Sequence, residues 1–311
     1  MVKAVLLFIV GLILICAGGD RLVDAAVAIA KKLKIPQMVV GATIVSLGTT
    51  LPEILVSTTA AFNGSAAIAA GNAFGSIICN TALVAGLTQL IKPTAKVEAA
   101  PLKWRSIFFL AVLLGMNVFG FITGAINRPA GVVLLLLFCL YAYLNIKKSS
   151  SEGGDEEESE EQDKPLVLQL LILAVCAALL YVGANLLVNN GIYIASALGV
   201  PERVIAVTFI ALGTSLPELV TSVVSLIKGY GNVGFGNIIG ANTLNMLLVI
   251  GIPAAVAGIP LETSTTTVDM PLSLLVMAIL ILPTIIRKKV SRIQGVLLLA
   301  IYVTYCVASF M

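Results

Sequence analysis

The chain has 311 residues, 59% of them hydrophobic and 11% charged, with a formal net charge of +3, no histidine and a mean hydropathy of +1.06. Soluble domains carry roughly 25% charged residues, so this composition excludes a soluble protein. The lack of histidine excludes His-based acid/base catalysis, Ser-His-Asp and Cys-His nucleophiles, HExxH chemistry and His-ligated zinc, and no Gly-x-Ser-x-Gly elbow is present. The expectation is therefore a function carried inside the bilayer, with no cofactor and no enzyme activity.

Hydropathy predicts ten membrane helices, near residues 4–31, 37–62, 66–91, 105–126, 129–147, 166–196, 202–228, 232–258, 270–287 and 291–310. A span needs about 20 residues, so ten use up most of the length. Helix 1 has some features of a signal peptide: Lys3, an apolar run, then Ala17-Gly18-Gly19. It has a copy in mid-chain, which a cleaved leader has no reason to have. Fifteen of the 19 Lys and Arg residues fall in the connections after helices 1, 3, 5, 7 and 9, and only Lys3, Arg128 and Arg203 in those on the other side, with Arg21 inside helix 1. The positive-inside rule then puts both termini outside and the 149–164 loop in the cytoplasm of a cell-membrane protein. Trp104, between Lys103 and Arg105, fits an interfacial anchor. The five cysteines (Cys16, Cys79, Cys139, Cys176, Cys306) are scattered without a CxxC pair and read as small membrane-helix residues.

In helix 2, Pro52 lacks an N–H and its ring opposes the Gly48 carbonyl, so the helix is expected to open over Gly48–Glu53. Non-helical backbone at that depth lines a cavity or coordinates something. Thr49, Thr50 and Glu53 add two hydroxyls and a carboxylate. Helix 7 repeats the set as Gly213, Thr214, Ser215, Pro217 and Glu218. Glu53 and Glu218 are the two acidic residues deep in long apolar stretches, and burying a carboxylate there costs roughly 2.5–3.5 kcal/mol on insertion scales. Two such residues at matching positions point to a cation site. The donors are all oxygen, which selects Na⁺, Ca²⁺ or Mg²⁺. Flexible carbonyls with two carboxylates suit Ca²⁺ first and the stiffer, reluctantly dehydrated Mg²⁺ second. Helices 3 and 8 carry the small-residue stretches Gly71–Ser76 and Gly236–Ala241, followed by Asn80 and Asn245. Their amide oxygens can accept a cation, a water or a carboxylic proton.

The chain is an internal duplication. Gly48-Thr49-Thr50-Leu51-Pro52-Glu53 recurs as Gly213-Thr214-Ser215-Leu216-Pro217-Glu218, a shift of 165 from position 48 to 213. The same shift, without a gap, carries Gly18 to Gly183, Pro36 to Pro201, Gly71-Asn72 to Gly236-Asn237, Asn80 to Asn245 and Gly86 to Gly251. Five helices per half is an odd number, so the second copy enters from the opposite side. The expected fold is an all-α membrane protein of ten helices in two inverted repeats, 1–148 and 165–311, with helices 2, 3, 7 and 8 broken at the core. Such repeats characterise secondary transporters, whose site lies at the repeat interface. Residues 149–164 hold eight of the chain's 16 acidic residues and read as a solvated spacer without the ligand spacing of an EF-hand.

The two GT(T/S)LPE segments, each followed after 18 residues by GN-x-x-G, resemble the paired alpha-repeats of the calcium/cation antiporter superfamily, in particular its prokaryotic sodium/calcium exchanger branch. The resemblance implies exchange of Ca²⁺ for Na⁺ by alternating access at four clustered sites. By position, Glu53, Glu218, Thr49 and Thr214 would hold Ca²⁺, and Asn80 and Asn245 would line the middle site. Ser46, Thr49, Thr50 and Ser76 would shape one sodium site; the Ala211 carbonyl, Thr214, Ser215 and Asn242 would shape the other. Helices 1 and 6 would slide as a gate. The family pattern often has Asp where this chain has Asn245 and Ser where it has Ala241, leaving a site of formal charge −2. Members driven by protons instead of sodium share the architecture, and a cation channel using the same carboxylates is the more distant alternative. The implied partners are the lipid bilayer and inorganic cations, with no nucleic acid and no obligatory protein partner.

Overall fold

A computed structural model of the protein describes residues 1–94, 96–152, 165–199 and 213–310. The described residues are helical apart from one two-residue ladder. The helices are α1 (Val2–Lys32), α2 (Gln37–Phe62), α3 (Ala67–Ile91), α4 (Ala99–Thr123), α5 (Arg128–Glu152), α6 (Leu166–Ala197), α7 (Leu216–Ile227), α8 (Gly231–Ala257), α9 (Thr265–Arg287) and α10 (Arg292–Phe310). Among the described residues eight of these are long and apolar enough to cross a bilayer; α7 and α10 are apolar but shorter. The short ladder joins β1 (Ala125–Ile126) to β2 (Ile259–Pro260), antiparallel, with Ala125 opposite Pro260.

Several boundaries differ from the sequence expectation, among them α9, which starts at Thr265 and not at 270. Helix α4 starts at Ala99, not 105, because Pro101 occupies its first turn, where a missing N–H costs nothing. It stops at Thr123, not 126, since Gly124 turns left-handed (φ 64°) and the chain enters β1. Arg105 therefore sits inside a helix rather than in a connection. It is buried, with Nε donating to Asn145 Oδ1 at 2.9 Å and Nη1 to the Pro101 carbonyl at 2.9 Å, beside the Trp104 ring. Helix α5 continues through Glu152, past the apolar run and into the expected spacer. The rest of that spacer, 153–164, lies outside the described residues.

The larger correction concerns the helix breaks. No opening occurs at Gly48–Pro52: Ser46–Phe62 is one α-helix with Pro52 inside it. A proline removes one backbone bond and not a whole turn, and neighbouring helices in a membrane protein can offset that loss. The irregularity lies upstream, as a π turn over Gly41–Val45. Helices α3 and α8 are likewise not broken but carry π turns, at Cys79–Ala85 and Asn245–Ile250. These two are equivalent under the 165-residue shift, and each contains one of the paired asparagines. In α7 the regular helix begins at Leu216, after a turn at Thr214–Ser215, so Pro217 falls in its first turn. Residues 200–212, the upstream part of the expected helix 7, lie outside the described residues.

Two apolar clusters divide the interior. The larger spans α3, α4, α5, α8, α9 and α10, around Phe74, Phe109, Phe235 and Met277. The smaller belongs to α1 and α6, with Ile15, Leu22, Ile29, Leu173 and Leu180 packed against the edges of α2, α7 and α8. Helices α1 and α6 run antiparallel in backbone contact. A Cβ on Gly11 would lie 2.8 Å from the Gly183 carbonyl, and one on Gly18 would lie 3.2 Å from that of Cys176. The end of α7 is tied to α1 by Lys228 Nζ, 2.7 Å from both Asp20 Oδ1 and Asp24 Oδ1. Burial works against the charge on Lys228, but its bonds to the two aspartates outweigh this and raise its pKa above the ordinary lysine value.

Candidate functional site

The site forms where α2 and α3 of the first half meet α7 and α8 of the second. Close approach of α2 to α8 is possible because Gly236 and Gly240 face Met38, Ala42 and Ser46 with no room for a Cβ. Small residues at such crossings let backbones and short polar side chains meet inside a bilayer. Here they bring Thr49 Oγ1 to 3.2 Å from Asn237 Oδ1, with the Ser46 carbonyl an alternative acceptor at 3.3 Å.

Glu53 and Glu218 are both fully buried. Thr50 Oγ1 donates to Glu218 Oε1 at 3.4 Å, a bond from one half of the chain to the carboxylate of the other. Both carboxylate oxygens of Glu53 and Oε2 of Glu218 accept no hydrogen bond. Asn72 Nδ2 donates to Ser57 Oγ at 2.8 Å and to the Glu53 carbonyl at 3.3 Å, fixing the backbone that carries the carboxylate. Buried polar atoms are satisfied in the large majority of cases, so three unpaired oxygens on two buried carboxylates make this pair the candidate cation site.

Most of the other expected residues are also withdrawn from the surface. Ser46, Ser76, Ser215, Asn80, Asn242 and Asn245 are all buried, and Thr214 is half-buried. Gly48 packs on Ala177 of α6, and Gly213 stands against Val188. Ala211 lies outside the described residues. Asn80 Nδ2 donates to Asn242 Oδ1 at 3.2 Å, while Asn80 Oδ1 accepts nothing. Asn245 bonds through neither end of its amide, and Ser215 Oγ has no partner. The charge and oxygen inventory suits a hard cation.

Sequence reasoning missed four residues. Asn72 and Asn237 act as polar clamps, yet in the sequence they read as part of glycine-rich packing stretches. Their signal was available, since they occupy equivalent positions in the two halves. Thr81 and Met277 surround Asn242: its Nδ2 donates to Thr81 Oγ1 at 2.8 Å and to Met277 Sδ at 3.2 Å, and Thr81 Oγ1 donates to Met277 Sδ at 2.9 Å. Nothing in the sequence marks them, for the residue equivalent to Thr81 is Met246 and Met277 lies outside both motifs.

The pattern of the sodium/calcium exchanger protein family matches residues 3–147 and 168–311. The sodium/calcium exchanger MaX1 of Methanosarcina acetivorans is 28% identical over 98% of both chains. The inner membrane protein YrbG of Escherichia coli K12 is 32% identical, over 89% of this chain and 87% of its own. A structure of the sodium-calcium exchanger NCX_Mj superposes with a TM-score of 0.83 at 32% identity, covering 100% of this chain and 99% of that one. The fold and site thus define a multi-pass membrane transporter. The chain belongs to the sodium/calcium exchanger family.

Proposed function

We propose that the protein is an antiporter that exchanges Ca²⁺ for Na⁺ across the cell membrane by alternating access. The observation that carries this is the pair of buried carboxylates, Glu53 and Glu218, donated by the two halves of the chain and almost free of protein donors. Their combined charge of −2 balances one Ca²⁺ or two monovalent ions, and an unbalanced charge at that depth is expensive. Thr49 and Thr214 complete the Ca²⁺ site, and Asn80 and Asn245 line the middle site. Ser46, Thr50 and Ser76 on one side, and the Ala211 carbonyl, Ser215 and Asn242 on the other, serve the counter-ion.

Ten spans in two inverted repeats, 1–148 and 165–311 joined by 149–164, are the architecture that fits this cycle, with α1 and α6 as the moving pair. Their antiparallel course supports it. So does the contact pair Gly11–Gly183, which becomes Cys176–Gly18 under the 165-residue shift, and both contacts are present. Gly86 against Leu299 and Gly251 against Leu134 are related in the same way. Both termini outside and residues 149–164 in the cytoplasm follow from the distribution of Lys and Arg.

The test is ⁴⁵Ca²⁺ uptake into proteoliposomes under an imposed sodium or proton gradient. Sodium-driven uptake is expected, and Glu53→Gln or Glu218→Gln should reduce it to background. Uptake driven by protons alone overturns sodium coupling but leaves the two-carboxylate site standing. Near-wild-type uptake by either glutamine variant overturns the site.

A further inference from the structure

Beyond the residues that would touch an ion, a buried relay of side chains controls which end of one amide is presented to it. We propose that Met277, through Thr81 and Asn242, sets the orientation of Asn80 so that its oxygen is the free atom of the amide, making Met277 and Thr81 positioning residues for cation binding. This rests on the reading of Asn80 as part of the cation site.

A thioether sulfur accepts hydrogen bonds and donates none. Met277 Sδ lies 3.2 Å from one end of the Asn242 amide, which must therefore be the NH₂ end. The Thr81 hydroxyl, 2.9 Å from the same sulfur, spends its proton there and offers its lone pair to that NH₂ at 2.8 Å. The Asn242 oxygen then faces Asn80, and only the NH₂ of Asn80 can answer it, at 3.2 Å. Asn80 Oδ1 is left buried and without a protein donor. Every member of the relay is buried, so water cannot scramble the order. Without the sulfur a second arrangement becomes available. The Thr81 hydroxyl would donate to Asn242 Oδ1, both amides would turn over, and Asn80 would present an NH₂ to the site, which repels a cation. One acceptor-only atom on α9 thus selects between a cation-attracting and a cation-repelling face.

Met277→Leu keeps the volume and removes the acceptor. In proteoliposomes it should raise the half-saturating Ca²⁺ concentration by about tenfold, the scale of one misdirected buried polar group, while maximal uptake stays within about twofold. Thr81→Val should act in the same direction and Thr81→Ser should restore the wild-type value. The decisive measurement is a double-mutant cycle. Asn80→Asp presents oxygen in either orientation, so in that background Met277→Leu should no longer raise the half-saturating concentration. A value within about twofold of wild type for Met277→Leu overturns the relay, as does an equal penalty in both Asn80 backgrounds, which would mean packing alone. Should Met277→Leu fail to fold, the Thr81→Val and Thr81→Ser pair, each also made with Asn80→Asp, decides by the same criteria. Glu53→Gln measured alongside separates the two levels: its retained uptake overturns the site reading on which the relay depends, whereas its loss of uptake with an unaltered Met277→Leu overturns the relay alone.

Discussion

At position 245 the second half carries a neutral amide, buried, with neither its oxygen nor its nitrogen bonded to protein. A carboxylate there would raise the formal charge of the site from −2 to −3. The present count matches two monovalent ions, and a third would leave a net positive charge near the bilayer centre. Asn245→Asp should therefore change the sodium Hill coefficient and the voltage dependence of exchange more than it changes Ca²⁺ affinity. Wild-type protein that already moves three Na⁺ electrogenically, with an unaltered mutant, would show that backbone dipoles and not carboxylates set the stoichiometry. Glu53 and Glu218 were legible in the sequence because a carboxylate inside an apolar run has no cheap alternative explanation. Thr81 and Met277 were not, since both are ordinary in membrane helices. Their relation exists only because segments 196 residues apart in sequence come into hydrogen-bond contact.

Among the elements, proline and glycine carried most of the sequence signal, with mixed results. The repeated Gly-x-x-x-Pro unit lies beside the two buried carboxylates but does not mark the backbone irregularity, which lies in the π turns at Gly41–Val45, Cys79–Ala85 and Asn245–Ile250. A π turn needs no breaker residue; the packing of neighbouring helices decides it, so the local sequence does not announce it. The glycines of α1 and α6 are different, because their role is absence of bulk. A side chain at Gly183 would stand 2.8 Å from Ile15 Cγ1 and 2.9 Å from the Gly11 carbonyl, and backbone cannot move aside. Gly183→Val should destabilise the protein by about 1–3 kcal/mol, the usual cost of overpacking, and cut Ca²⁺ uptake. Gly115→Ala in α4, with nothing within 4 Å of the new methyl, serves as the comparison. Equal thermal stability of the two variants in detergent would show that α1 and α6 do not need this contact.

For the whole molecule, the duplication is the most legible property, because a gap-free shift over tens of residues stands in the sequence itself. The acidic stretch between the two copies is equally plain in composition, although α5 runs into its first residues, as far as Glu152. Removing residues 153–163 should leave basal sodium-driven Ca²⁺ uptake within about twofold of wild type, since a longer or shorter polar connection changes closure entropy only slightly. A folded but inactive deletion protein would assign the stretch more than a connecting role. The crossing of α1 and α6 has a mechanical consequence at this scale. The contacts Gly11–Gly183 and Gly18–Cys176 are seven residues apart on each helix, about 10 Å along the axis. Rods touching at one point can scissor; rods pinned at two cannot. A displacement applied to α1 where Lys228 grips Asp20 and Asp24 would thus pass to α6 as a rigid translation and not as a change of crossing angle.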